Sequence, residues 1–173
     1  MLARRILLSV PIFLVTYVLQ ESLFNQVRLP GGGFSIFLIL TLVWAALSTP
    51  EVGAVTGFGA GFLMDISQNS DGPMGHWTLI MVAMCYGIAF LAYGDDRSRA
   101  NPLTTVILVV SSVFISEVIF LLSGALLGVN LGSFGQILTT LIGMSVWTLI
   151  VTPLVLPVFT KIHAIAFDLS SQI

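Results

Sequence analysis

Residues 53–65 read GAVTGFGAGFLMD, an apolar stretch in which glycine recurs at every fourth position and an acid stands at the end. An α-helix turns by about 100° per residue, so Gly53, Gly57 and Gly61 form one stripe without side chains. In lipid, burying apolar groups gains little free energy, and such a stripe lets a second helix backbone approach closely. The stretch therefore predicts a closely packed membrane helix, whose neighbour is either another helix of this chain or a partner protein.

The rest of the chain is similarly apolar. Of its 173 residues, 57% are hydrophobic and only 8% are charged, against about 25% charged residues in soluble domains. The apolar residues form blocks close to the roughly 20 residues that a helix needs to cross a bilayer. These features predict an integral membrane protein, and the net charge of −2 does not favour a nucleic-acid partner.

Six apolar runs, separated by polar or turn-rich segments, predict an all-α, polytopic protein that forms a single integral membrane domain over residues 1–173. Pro50 suits a first helical turn and Glu51 complements the helix dipole, so the third helix is predicted to begin at about Pro50. Residues 158–169 are predicted to form either an interfacial helix or a frayed tail. The six predicted spans are residues 6–24, 34–47, 50–66, 76–93, 103–128 and 137–158.

The basic residues predict the orientation, because lysine and arginine are retained on the cytoplasmic side of short loops. With six spans and a cytoplasmic N-terminus, Arg28 alone falls outside. If the short third segment did not cross the membrane, Arg97 and Arg99 would lie outside, and the excess of basic residues on the cytoplasmic side would be lost. The sequence therefore predicts six transmembrane helices with both termini in the cytoplasm. The residues placed inside are Arg4, Arg5, Arg97, Arg99 and Lys161.

Three acids fall in the outer half of the predicted bundle. Asp65 continues the glycine stripe at a helix C-terminus, where the dipole disfavours a carboxylate. It is predicted to pair with Arg28, to accept hydrogen bonds from the turn at residues 69–75, or to contact water at the interface. Glu21 lies late in the first span, and apolar residues surround Glu117, which is predicted to be protonated or bonded to Ser or Thr of a neighbouring helix.

No group of residues in the sequence predicts catalysis, a cofactor or a metal site. His76 and His163 fall on opposite sides of the predicted membrane and so cannot ligate one metal. Cys85 is the single cysteine, which excludes an internal disulfide and a multi-cysteine metal site. GFGAG lies within a membrane helix and does not follow a strand, so it is not a phosphate-binding loop. The chain is therefore predicted not to be an enzyme.

Residues 53–66, GAVTGFGAGFLMDI, and residues 71–91, DGPMGHWTLIMVAMCYGIAFL, together resemble the central region of the MreD family of bacterial rod-shape-determining membrane proteins. In that family a Gly-Phe-x-x-Gly-Leu helix ends in Asp, and a Leu-Gly pair opens the next helix. Here Phe62 stands in place of the leucine of the first motif. In the second motif, Met74 stands in place of the leucine and is followed by Gly75. The specific likeness covers about 40 residues. The positions that match are Gly57, Phe58, Gly61 and Asp65.

The resemblance implies a non-enzymatic scaffold of the cell-elongation complex in the bacterial cytoplasmic membrane. Such a protein binds the bitopic protein MreC directly and, through it, associates with the wall-synthesising polymerase and transpeptidase and with the MreB filament. It supports cell shape and peripheral peptidoglycan synthesis. The implied fold is that of the six-helix substrate-binding subunits of energy-coupling-factor transporters, and the matching residues would shape the packing that presents a surface to MreC.

Two alternatives belong to other classes of protein. A vitamin-type binding subunit of a transporter could use the outer acids and aromatic residues to line a pocket. However, residues 6–24 are bulky throughout and lack the alanine-rich small-xxx-small face of such carriers. A channel or proton-coupled transporter built around Glu117 would need a further intramembrane charge pathway, which the sequence does not supply.

Overall fold

The computed structural model describes residues 2–23, 26, 29–67, 72–93, 101–129 and 132–171, and the side chains of residues 9–167 within these ranges. Helices are the regular secondary structure of this described part, which contains no strand. Of the six basic residues used to predict orientation, Lys161 is the one whose side chain is described. The α-helices are α1 (Leu2–Ser22), α2 (Ile36–Leu47), α3 (Pro50–Ile66), α4 (His76–Tyr93), α5 (Pro102–Leu126) and α6 (Phe134–Ser171).

Four helical segments are long and apolar enough to cross a membrane, judged over the described residues. The helix α3 has 17 residues and is shorter than each of these segments. The described part of the chain is therefore all-helical and contains four helical segments able to span a membrane. The four segments are Pro30–Leu47, His76–Tyr93, Pro102–Leu126 and Phe134–Phe167.

The observed helices coincide with the predicted spans 50–66 and 76–93 and differ at other boundaries. The largest difference is at the sixth span, predicted over residues 137–158 with a separate segment after it. The structure instead has one helix, Phe134–Ser171, which continues through Pro153 and Pro157. The prediction placed a boundary where the hydropathy falls, but a fall in hydropathy does not interrupt backbone hydrogen bonding. The remaining differences are starts and ends shifted by a few residues, in α1, α2 and α5.

The helix α2 forms the centre of the bundle and contacts each of the other five helices. Every residue from Phe37 to Ala46 is buried, as expected for a helix that is apolar on all sides. The Trp44 ring meets Phe13 edge-on at 5.5 Å and His163 at 4.8 Å. The N-terminus of α2 is capped, since Ser35 Oγ accepts a hydrogen bond from the Leu38 amide.

The glycine stripe of α3 packs against α4 of the same chain. A Cβ atom placed on Gly53 would lie 2.8 Å from the Cys85 carbonyl oxygen, and one on Gly61 would lie 2.5 Å from Thr78 Cα. A Cβ on Gly57 would collide with the Met81 carbonyl oxygen. The missing side chains thus bring the two backbones together along the length of α3, so the neighbour that the sequence left open is α4.

A second close backbone approach joins the Pro30–Gly32 turn to α6. Gly31 has a φ of +77°, a conformation that suits glycine, and a Cβ atom on Gly143 would collide with the Gly31 backbone. The Trp147 indole N–H also donates a hydrogen bond to the Pro30 carbonyl at 3.0 Å. The glycine-rich turn that precedes α2 is thereby fixed on the surface of α6.

Replacing Gly57 or Gly61 by alanine is expected to destabilise the protein, because the added methyl group meets the α4 backbone and overpacking costs about 1–3 kcal/mol. Gly59 provides a matched control, since a Cβ atom there has no heavy atom within 4 Å and alanine is the better helix former by about 1 kcal/mol. Thermal unfolding in one detergent should place Gly57→Ala and Gly61→Ala below the wild type and Gly59→Ala at or above it. Equal effects at the three positions would contradict the α3–α4 contact.

Candidate functional site

The Asp65 carboxylate at the end of α3 caps the N-terminus of α4. Its Oδ1 accepts a hydrogen bond from the Trp77 amide at 2.9 Å, and its Oδ2 accepts one from the Thr78 amide at 3.0 Å. The Thr78 hydroxyl donates a further hydrogen bond to Oδ2 at 2.5 Å. Amides in the first turn of a helix lack partners within the helix, and a carboxylate is favoured at that end of the dipole. The start of α4 therefore compensates the unfavourable position of Asp65 at the end of α3.

This cap differs in detail from the predicted partners of Asp65. The carboxylate accepts hydrogen bonds, and the donors that the structure describes belong to the first turn of α4, while residues 69–71 of the predicted turn lie outside the described ranges. The predicted pairing with Arg28 involves a residue outside the described ranges. Sequence reasoning missed Thr78, because a threonine in a helix is ordinarily bonded to its own helix.

The residues proposed as a packing or partner interface divide between two sides of α3. The three stripe glycines are buried and face α4 together with the Asp65 cap. Phe58 is 56% exposed on another side of the helix, and its ring stacks on that of Phe62 with the centroids 6.4 Å apart. Next to these rings lies a groove of about 520 Å³, which Met74 and Leu79 also line.

The acids Glu21 and Glu117 meet at a small cavity of about 170 Å³. The Ser67 hydroxyl donates a hydrogen bond to Glu21 Oε1 at 2.7 Å, and Gln20 Oε1 accepts one from the Ile36 amide at 2.8 Å. The predicted hydrogen bond from Glu117 to a Ser or Thr is not observed within the described ranges. The polar residues that line the cavity are Tyr17, Gln20, Glu21, Ser35, Ser67 and Glu117.

The two histidines lie in separate environments. His76 opens α4, is buried, stacks on Phe120 and places its Nε2 atom 2.5 Å from Ser123 Oγ. His163 lies 3.3 Å from Ser48 Oγ, close to the beginning of α3. The described residues contain no cluster of three His, Cys, Asp or Glu side chains suited to a metal. The His76–Ser123 pair is a partly buried polar contact that the sequence pattern did not reveal.

Comparisons with protein-family models, with curated proteins and with solved structures found no significant match. Three features therefore bear on function. They are the hairpin formed by α3 and α4, the polar cavity lined by Glu21 and Glu117, and the sequence resemblance.

Asp65→Asn is expected to destabilise the protein less than Asp65→Leu, because asparagine keeps one oxygen that can accept a hydrogen bond from the α4 amides. Thr78→Val removes only the hydroxyl donor and should cost about 1 kcal/mol. The double variant Asp65→Leu/Thr78→Val should be no less stable than Asp65→Leu alone, since the hydroxyl has already lost its acceptor. Thermal unfolding of the four proteins tests this order, and equal losses for Asn and Leu would favour an ion pair at residue 65 instead.

Proposed function

We propose that this chain is a non-enzymatic membrane scaffold of the MreD type, which binds MreC in the bacterial cytoplasmic membrane and supports cell shape and peripheral peptidoglycan synthesis. The observation that carries the proposal is the α3–α4 hairpin. Of the four positions that match the family motif, Gly57, Gly61 and Asp65 act together to join two helices into one unit. A pair of helices held together by backbone packing and a helix cap suits a scaffold, which presents a fixed surface and catalyses no reaction.

The proposed contact surface for MreC is the side of the hairpin that faces away from the glycine stripe. There Phe58 and Phe62 form an exposed stacked pair, and Gly59 leaves open space on the same helix. Aromatic anchors and small residues both favour helix association, the first by contact area and the second by close approach. A single transmembrane helix of a bitopic partner could place its side chains in the groove beside the two rings.

On this proposal all six helices cross the membrane, with both termini in the cytoplasm. The helix α3 has 17 residues, which correspond to about 25 Å at 1.5 Å per residue, less than the roughly 30 Å of a bilayer core. A short span is accommodated by local thinning of the bilayer at modest cost. The capped α3–α4 connection would then lie at the outer surface.

The polar cavity is the observation that bears on the alternative of a vitamin-type carrier. It does bring acids and aromatic residues together, as that alternative requires. Its volume of about 170 Å³ is below the roughly 300–1,000 Å³ of pockets that hold drug-sized ligands. The cavity that brings the acids together is therefore small for a vitamin-sized ligand. A carrier would also show a higher melting temperature when a vitamin is added, whereas a scaffold would not respond.

Alanine at both Phe58 and Phe62 is expected to reduce co-purification of MreC at least about tenfold, the effect of losing about 1.4 kcal/mol of binding free energy. Leu122→Ala on α5 is the matched control, because Leu122 is also exposed, at 64%, but lies on another helix. Pulldown of MreC from membranes with equal amounts of each variant measures the loss. Undiminished MreC with the double variant, or an equal loss with Leu122→Ala, would refute the proposed surface.

The crossing of α3 is tested by single cysteines at its two ends in a Cys85→Ala background. Met74→Cys, at an exposed position beyond the end of α3, should react with a membrane-impermeant maleimide in spheroplasts with intact inner membranes. Glu51→Cys, at an exposed position in the first turn of α3, should react only after those membranes are permeabilised. Labelling of both cysteines from the same side would show that α3 does not cross.

A further inference from the structure

An open groove of about 850 Å³ lies between α5 and α6. Its walls are formed by residues 102–107 of α5 and residues 149–160 of α6, and Leu47 of α2 also lines it. Apart from Thr105 and Thr160, the side chains that line the groove are apolar. Its volume lies within the roughly 300–1,000 Å³ of pockets that hold drug-sized ligands. The groove therefore has the size and the surface to hold a hydrocarbon chain.

The groove begins at one end of the helical bundle and extends inward. Its lining includes Leu47, where α2 ends, and Pro102, where α5 begins. On α6 the lining residues extend from Thr160 back to Leu149, a distance of about 16 Å at 1.5 Å per residue. This is about half of the roughly 30 Å of a bilayer core. The groove thus matches the depth of one lipid leaflet and is too short to receive the whole length of a membrane-crossing partner helix.

A cation follows the groove at the end of the bundle. Leu149, Pro153 and Pro157 line the groove at every fourth position of α6, and Lys161 is the next residue in this row. Residues four apart on a helix are neighbours, so the exposed Lys161 lies one turn beyond Pro157. A lysine can lay its stem along an apolar surface while its ammonium group stays at the interface. The groove and the lysine together match a molecule with an apolar chain and an anionic head.

The surroundings of the groove favour a lipid as its occupant. Both walls belong to helical segments that are able to span a membrane, and the lining residues Leu103 and Ile107 are exposed. In a bilayer these exposed side chains face the acyl chains of lipids. The rings of Pro153 and Pro157 close onto their own backbone nitrogen atoms, so they project less than leucine side chains would. The α6 wall therefore leaves room for a chain that lies along the helix.

We propose that the groove between α5 and α6 binds an acyl chain of an anionic phospholipid, whose phosphate group pairs with Lys161. Basic side chains between membrane helices bind anionic headgroups in this way. In a zwitterionic headgroup, the ammonium group opposes the attraction between the lysine and the phosphate. The proposal does not depend on the scaffold function or on the orientation of the chain, because it requires only that α5 and α6 cross the membrane.

The test uses the full-length chain, purified in detergent and stripped of endogenous lipid. Native mass spectrometry measures the binding of dioleoyl phosphatidylglycerol and of dioleoyl phosphatidylcholine, which have the same chains and differ in the charge of the headgroup. We expect phosphatidylglycerol to bind saturably and about fivefold more tightly than phosphatidylcholine, the effect of one lysine close to an anionic lipid.

Variants then locate the bound lipid. Lys161→Gln should abolish the preference for phosphatidylglycerol, and Lys161→Arg should keep it, because arginine retains the charge. Leu149→Trp should fill the groove and weaken the binding of both lipids. Leu154→Trp is the matched control, because Leu154 is an exposed residue of α6 that does not line the groove. Ile107→Trp fills the groove from the α5 wall and provides a second test if Leu149→Trp does not fold.

Three results would overturn the proposal. The first is equal binding of the two lipids by the wild type, and the second is a preference for phosphatidylglycerol that persists in Lys161→Gln. The third is equal lipid binding by the groove-filling variants and Leu154→Trp. If the groove-filling variants instead lose a co-purifying protein and bind lipid normally, the occupant is a protein. None of these measurements includes MreC, so this proposal and the proposed function fail separately.

Discussion

The close approach of the α3 and α4 backbones is the constraint on which the rest of the structure depends. In lipid, the association of two helices gains little from apolar burial and must come from packing and polar contacts. The stripe of Gly53, Gly57 and Gly61 provides the packing, and the Asp65 cap provides the polar contact at one end. With α3 and α4 joined in this way, the buried helix α2 packs against both. The α3–α4 hairpin, in which the glycines leave room for close backbone contact, therefore provides a fixed surface for the central helix α2.

The sequence predicted the parts of the fold that depend on local signals. Pro50 and Glu51 mark the start of α3 and polar residues mark its end, so its bounds agree with the structure. The long helix α6 continues past residue 158, where the prediction placed a boundary, because a fall in hydropathy does not end a helix. Beyond that residue, the His163 ring packs on Trp44 in the core around α2. A hydropathy profile contains no information about such a contact, and it therefore reads a change of environment as the end of a helix.

The candidate sites were predictable in composition but not in geometry. The sequence identified Asp65, Glu21 and Glu117 as acids in need of compensation. It did not identify the donors of Asp65, because two of them are backbone amides whose availability depends on where α4 begins. Nor did it bring Glu21 and Glu117 together, since the cavity exists only once the ends of α1 to α4 converge beside α5 and α6. The local sequence indicates which acidic side chains need hydrogen-bond partners. The packing of the helices determines which partners are available to them.

The motif residues lie on two different sides of α3, and this changes how the motif is interpreted. Gly57, Gly61 and Asp65 carry most of the resemblance, yet all three act on α4 within the same chain. A partner cannot reach the glycines without displacing α4, so these residues specify the shape of the hairpin rather than recognise a ligand. Phe58 is the one motif residue that points outward, and it stacks on Phe62, where the chain departs from the family pattern. On the proposed function, recognition would therefore depend on the outward rings of Phe58 and Phe62, held in place by the glycines and Asp65.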